Sequence, residues 1–131
     1  MIDAIAETFT PISGVTGGTT ADIRTSDTLN GTPLDPAAAN LTIDAVLGPD
    51  GNPTTAITVN PNGTVTVPAN TPAGDYQVTY TICEITNPTN CDSVTETITV
   101  APPVIDAITE TFTAINGITG GATPTLSLIH I

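Results

Sequence analysis

An internal repeat constrains the fold of this chain more than any other feature of its sequence. Residues 105–126 match residues 2–23 without a gap, with 14 of 22 positions identical at a period of 103 residues. Solenoid repeats of about 20 to 45 residues must stack on their neighbours, whereas a unit of about 100 residues has the size of a domain with its own core. We therefore expect a complete domain at residues 1–100, a proline-rich linker at 101–104 and the truncated start of a further repeat at 105–125.

The last six residues, 126–131, lie where the repeat match ends. They resemble the in-frame translation of a sequencing adapter, and we expect them to be an artefact rather than a native C-terminal segment. The only histidine, His130, belongs to this segment and is left out of functional reasoning.

Composition favours short strands over helices. The chain has 28 threonines and many valines and isoleucines, whose stiff β-branched side chains suit a pleated surface. Twelve prolines and eleven glycines interrupt it throughout, which makes long helices improbable. With 3% aromatic residues and no tryptophan, the core must consist mainly of aliphatic side chains.

Alternation of apolar and polar residues predicts seven strands in the complete repeat. In the sixth, Tyr76 and Tyr80 share an apolar face and are predicted to be core residues, and in the third Ala45 is expected on the apolar face. Asn62-Gly63 predicts a tight hairpin turn with positive φ at both residues. Such strands are typical of an all-β, two-sheet antiparallel sandwich. The predicted strands are 4–10, 21–25, 40–47, 56–59, 63–67, 75–84 and 92–100.

The charge balance excludes some partners. Thirteen acids oppose one base, Arg24, for a net charge of −12. This charge repels phosphate backbones and anionic lipid, so we expect no nucleic-acid partner. No apolar run is long enough for a transmembrane helix, and no membrane insertion is expected. An acidic, threonine-rich surface is typical of an extracellular medium.

The two cysteines are expected to form a disulfide. Cys83 ends the sixth predicted strand and Cys91 precedes the seventh, so the two face each other across the mouth of a hairpin at a separation that a disulfide accepts. The alternatives are free thiols or a metal site. Zinc usually requires four ligands, more than this pair supplies.

Several segments of the repeat resemble those of a known protein family. They are 27–31 (DTLNG), 60–67 (NPNGTVTV), 71–76 (TPAGDY), and 80–84 with 87–92 (YTICE, NPTNCD). Together they resemble the bacterial Ig-like, cadherin-like tandem repeats of very large Bacteroidetes-type surface proteins. The resemblance implies a seven-stranded Ig-like sandwich. It also implies export to the cell surface, often with a sorting domain of the gliding-motility type, and a role in adhesion or as a stalk.

Calcium is the one cofactor that the sequence suggests. Ca²⁺ takes six to eight oxygen ligands, and cadherin-like arrays place it where domains meet. Asp106 and Glu110 follow the linker, and Asp27 lies in a predicted turn. We expect these three residues as candidate ligands of a structural ion, with solvated acids and no cofactor as the alternative.

The sequence favours a structural function. Four scattered serines, no lysine and no credible histidine leave no catalytic triad or phosphate clamp, so no enzyme is expected. We expect a spacer repeat whose partners are neighbouring repeats of the same chain. The alternative is a Ca²⁺-dependent module that binds a host or surface glycan or protein. Glycan-binding modules usually display exposed aromatic residues.

Overall fold

In its described part the chain forms strands and turns, with one turn of 3-10 helix at Pro36–Ala38. The computed structural model describes residues 1–105, 107–112, 114–115 and 117. The strands in this part of the chain are β1 (Ile2–Asp3), β2 (Ile12–Ser13), β3 (Gly18–Thr19), β4 (Thr28–Leu29), β5 (Thr32–Pro33), β6 (Ala39–Leu47), β7 (Thr58–Val59), β8 (Val65–Val67), β9 (Gly74–Glu84) and β10 (Cys91–Ala101).

These strands form three sheets, ordered β1-β4-β5, β2-β10-β9-β6 and β3-β8-β7. Neighbouring strands are antiparallel, except that β2 runs parallel to β10. The all-β prediction is therefore confirmed and is consistent with a β-sandwich. The predicted number of seven strands is wrong for the described residues, which contain ten. The physical reason is that prolines, glycines and turns divide the first third of the repeat into two-residue strands.

The central sheet contains the longest strands and most of the core. Alternate residues of β9 are buried, as the pattern predicts: Tyr76 and Tyr80 expose 2% and 0% of their surface. One cluster of buried apolar side chains joins this sheet to the other two, since it includes Ile2 of β1 and Val65 of β8. The opposite face of β9 and β10 carries hydroxyl groups, with Thr79 bonded to Thr95 across the strands at 2.8 Å.

A bulge in β6 changes the face of one predicted core residue. The register against β9 shifts between Ile43 and Ala45, so that Ala45 lies opposite Thr79 and Val46 lies opposite the buried Val78. Val46, and not Ala45, packs against the core. The prediction for Ala45 is wrong because one extra residue reverses the alternation of all the residues that follow it.

The β7–β8 hairpin lies where the sequence predicts it, but its turn differs. The amide of Gly63 donates to the carbonyl of Asn60 at 2.9 Å, and the amide of Asn60 donates to that of Thr64 at 2.8 Å. Gly63 has a φ of 84°, whereas Asn62 is not among the residues with positive φ. Pro61 explains the difference, because its fixed φ favours a type I turn followed by one left-handed glycine.

Gly63→Ala is expected to lower the free energy of unfolding by about 2 kcal/mol, twice the loss for Gly51→Ala. Both glycines have positive φ, where an alanine costs about 1 kcal/mol. A Cβ at Gly51 meets nothing within 4 Å, whereas at Gly63 it overlaps the Asp22 carboxylate that pairs with Arg24. Urea unfolding followed by circular dichroism measures both losses. Equal losses would show that displacing Asp22 costs nothing.

The first two predicted strands are wrong. Residues 4–10 have no strand assignment, and residues 21–25 form turns in which the Asp22 carbonyl accepts from the amide of Thr25 at 3.2 Å. The Asp22 carboxylate also accepts from the Arg24 amide at 2.9 Å, a side-chain turn that competes with strand pairing. In residues 4–10, side-chain acceptors replace the backbone ladder, as described below.

The two ends of the repeat lie at opposite ends of β10. The amide of Ile2 donates to the Asn90 side chain just before β10 begins, and Ser13 pairs with Ala101 where β10 ends. At about 3.3 Å per residue, this strand of 11 residues spans roughly 35 Å. The chain therefore begins the repeat at one end of the central sheet and leaves it at the other.

Candidate functional site

The cysteine pair closes the open end of the β9–β10 hairpin. Cys83 and Cys91 are directly opposite in the register, with Cα atoms 4.1 Å apart, and they form the disulfide that the sequence predicts. Three backbone hydrogen bonds hold the loop that it closes: the Glu84 amide donates to the Asn90 carbonyl at 3.0 Å, the Ile85 amide to Ala38 at 2.9 Å, and the Asn90 amide to Asn87 at 2.9 Å. The disulfide therefore fixes the position of Asn90, whose side chain accepts from the Ile2 amide.

The structure describes two of the three candidate calcium ligands, Asp27 and Glu110. Asp27 is fully buried, and its carboxylate accepts protein hydrogen bonds. Glu110 follows the linker and is half-buried, while Asp106 lies outside the described residues. Among the residues that are described, no group of three or more His, Cys, Asp or Glu side chains is placed to hold a metal ion. The calcium site remains a prediction.

Side chains of the central sheet hold the N-terminal segment, which we define as residues 2–9. The Ala4 amide donates to the Asp92 carboxylate at 2.8 Å, and the Glu7 amide donates to the Glu96 carboxylate at 2.9 Å. Asp92 and Glu96 both lie on β10, so the segment follows this strand along its length. These side-chain acceptors take the place of a neighbouring strand for residues 4–9, which have no ladder of their own.

Asp27 connects the segment to the core. Its carboxylate accepts from the Ile5 amide at 2.8 Å and from the Tyr80 hydroxyl at 2.9 and 3.0 Å. The same hydroxyl is 2.9 Å from the Ile23 carbonyl. Burial raises the pKa of Asp27, partly offset by these hydrogen bonds, and burial beside Asp27 raises the pKa of the Tyr80 hydroxyl.

Glu96 is the least satisfied polar side chain of this region. It is fully buried, and its Oε1 atom has no hydrogen-bond partner while Oε2 accepts from Glu7. Burial raises the pKa of Glu96 to about 7, and the charges of Glu7 and Asp27 add to the rise. Burial also raises the pKa of Glu7, whose carboxylate accepts from the Ser26 amide at 2.7 Å. We call Glu7, Asp27 and Glu96 the carboxylate cluster.

The single base of the chain lies near the cluster but pairs with another acid. Arg24 binds Asp22 through two side-chain hydrogen bonds of 2.9 and 3.0 Å and donates to the Asn62 carbonyl at 3.1 Å. Its side chain is 8% exposed. The arginine thus joins the turn at residues 22–27 to the β7–β8 hairpin.

The sequence contains a signal for Glu96 that the prediction did not use. Val94, Ile98 and Val100 occupy every second position of β10 and point toward the core, and Glu96 lies in the same phase. Alternation alone therefore places this acid on the inner face. No comparable signal exists for Asp27, because its burial depends on contacts with Ile5 and Tyr80 at distant positions in the chain.

Comparison with protein-family models, with curated proteins and with solved structures finds no match to this chain. No helix in the described part of the chain has the length and apolarity needed to cross a bilayer. The buried positions of Tyr76 and Tyr80 mean that neither ring is free to stack on a sugar. The carboxylate cluster accepts backbone hydrogen bonds from Ile5, Glu7 and Ser26.

Proposed function

We propose that this chain is an Ig-like spacer repeat of a secreted or cell-surface bacterial protein, in which tandem copies extend a stalk that supports adhesion. One observation carries the proposal: the repeat begins beside Asn90 and ends at Ala101, at opposite ends of β10. Copies joined through such ends follow one another in a line, because each new copy starts where the previous strand stops.

The linker and the surface support the same function. Pro102 and Pro103 are exposed and follow β10 directly, and proline restricts both its own φ and the residue before it. A short, stiff connection keeps successive copies extended. The disulfide fits an oxidising compartment, since such bonds persist mainly outside the cytosol. The net charge of −12 opposes lateral association between stalks.

Proteins carrying two and four tandem copies of residues 1–103 provide the test. We expect small-angle X-ray scattering to show a maximum dimension that grows by roughly 35 Å per copy, the length of β10 at about 3.3 Å per residue. A matched control replaces Pro102 and Pro103 by glycine, which should keep the fold of each copy but lower the average extension. Growth of only a few ångströms per copy would mean that copies pack side by side, and the spacer proposal would be wrong.

A further inference from the structure

The N-terminal segment is attached to the repeat in an unusual way, because after β1 side-chain carboxyl groups, and not a strand ladder, accept the backbone amides of Ala4, Ile5 and Glu7. We propose that residues 2–9 form a latch on the inner face of β10 that closes when Glu96 is protonated and opens when Glu96 ionises. The inference concerns a single copy of the repeat and does not depend on the spacer function.

The latch can open without unfolding the central sheet. Between Asp3 and Ile12 the chain has no strand assignment, and the amides of Ala4, Ile5 and Glu7 donate to side chains. Releasing these bonds breaks no backbone pair of the β6–β9–β10 sheet. Elements held by few backbone pairs open at a lower free energy than the core.

The latch covers Glu96. This residue is fully buried, its Oε2 atom accepts from the Glu7 amide, and its Oε1 atom has no partner. An ionised carboxylate with an unsatisfied oxygen is costly in the interior, and contact with water removes the cost. Release of the segment takes the Glu7 amide away from Glu96 Oε2 and exposes the Glu96 side chain to water. Ionisation of Glu96 therefore favours the open state.

The surrounding charges also oppose ionisation of Glu96 while the latch is closed. The acids that act on Glu96 are Glu7 on the latch and Asp27 on the turn at residues 22–27. Glu7 and Asp27 both raise the pKa of Glu96. The nearby Arg24 is engaged by Asp22, and the Tyr80 hydroxyl on β9 donates to Asp27. No group in this set offers Glu96 a compensating positive charge.

The direction of the pH dependence follows from the raised pKa. In the closed state Glu96 holds its proton up to a pKa of about 7, whereas once hydrated it returns toward its ordinary value of 4.5. The closed state therefore has its full stability below about pH 4.5 and loses it as the pH rises to about 7. Across this window the opening constant should rise by up to about tenfold per pH unit and then level off.

Native-state hydrogen exchange of the full chain, followed by NMR from about pH 4.5 to 8, tests the latch. After correction for intrinsic exchange, the opening constants of the Ile5 and Glu7 amides should rise across the window. Amides of Val78 and Tyr80 in β9 report global unfolding, which also hydrates Glu96, so their opening constants should share the pH slope but be much smaller than those of the latch. Glu96→Gln removes the titrating group and should reduce the pH slope by about one proton, whereas the matched Glu84→Gln at the end of β9 should leave it unchanged.

Three results would overturn the latch. The opening constants of Ile5 and Glu7 do not change with pH, they are no larger than those of Val78 and Tyr80 in β9, or Glu96→Gln keeps the slope of the unchanged chain. If Glu96→Gln does not fold, the carboxyl carbon of Glu96 in the unchanged chain provides the second measurement. We expect its NMR titration midpoint near 7, and a midpoint near the ordinary 4.5 would also contradict the proposal.

Discussion

Asp27→Ala is expected to lower the free energy of unfolding by about 3 kcal/mol, the largest effect of any single substitution considered. The side chain is fully buried and accepts from the Ile5 amide and the Tyr80 hydroxyl. Hydrogen bonds to a charged acceptor contribute about 1.5 to 3 kcal/mol each, and loss of the unfavourable buried charge offsets part of that sum. Urea unfolding at neutral pH measures the loss.

Two control substitutions separate the hydrogen bonds of Asp27 from its charge. Asp27→Asn keeps an acceptor oxygen and should lose less than half as much as alanine. Asp44→Ala removes an exposed acid that accepts only from the Thr81 hydroxyl, and the expected loss is below about 0.5 kcal/mol. If Asp27→Ala costs no more than Asp44→Ala, the carboxylate does not connect the N-terminal segment to the core.

Loss of the Cys83–Cys91 disulfide has the second-largest expected effect. The bond spans eight positions, and the chain-entropy estimate for a loop of this length is about 2.5 kcal/mol. For a repeat of about 100 residues, this corresponds to a decrease in Tm of roughly 10 to 20 °C. Thermal unfolding of the Cys83→Ser, Cys91→Ser double variant measures the decrease.

The unchanged chain under reducing conditions is the control for that variant, and its Tm should match that of the double variant. The loop also positions Asn90, so the amide of Ile2 should exchange faster once the bond is lost. If Tm falls by less than about 3 °C, the hydrogen bonds of Glu84 and Ile85 hold the loop without the disulfide.

Local features of the sequence predicted the last two thirds of the repeat well. The bounds of β6, β9 and β10 lie within one residue of the predicted strands. The β7–β8 hairpin follows from the turn at residues 60–63, and the disulfide follows from the positions of Cys83 and Cys91 in neighbouring strands. Each of these elements depends on residues that are close in sequence, so pattern and turn chemistry suffice.

The first third of the repeat could not be predicted in this way. Residues 4–10 read as a strand, but their acceptors are Asp27, Asp92 and Glu96, and the Glu7 amide bonds a residue 89 positions away. Alternation shows which face of a strand is buried and contains no information about a side chain that replaces a neighbouring strand. The bulge at residues 43–45 could not be predicted from alternation either, because only the pairing with β9 reveals the extra residue.

The amino-acid pattern by itself determined an all-β chain with a central β9–β10 hairpin, a disulfide at its open end and two buried tyrosines. These features arise from alternation, β-branched composition and short connections, which are local in sequence. Only the tertiary structure decided the path of residues 2–9, the burial of Asp27 and the unpaired oxygen of Glu96. The reason is physical: the environment of a buried carboxylate is set by groups that folding brings from distant positions, and no local pattern contains them.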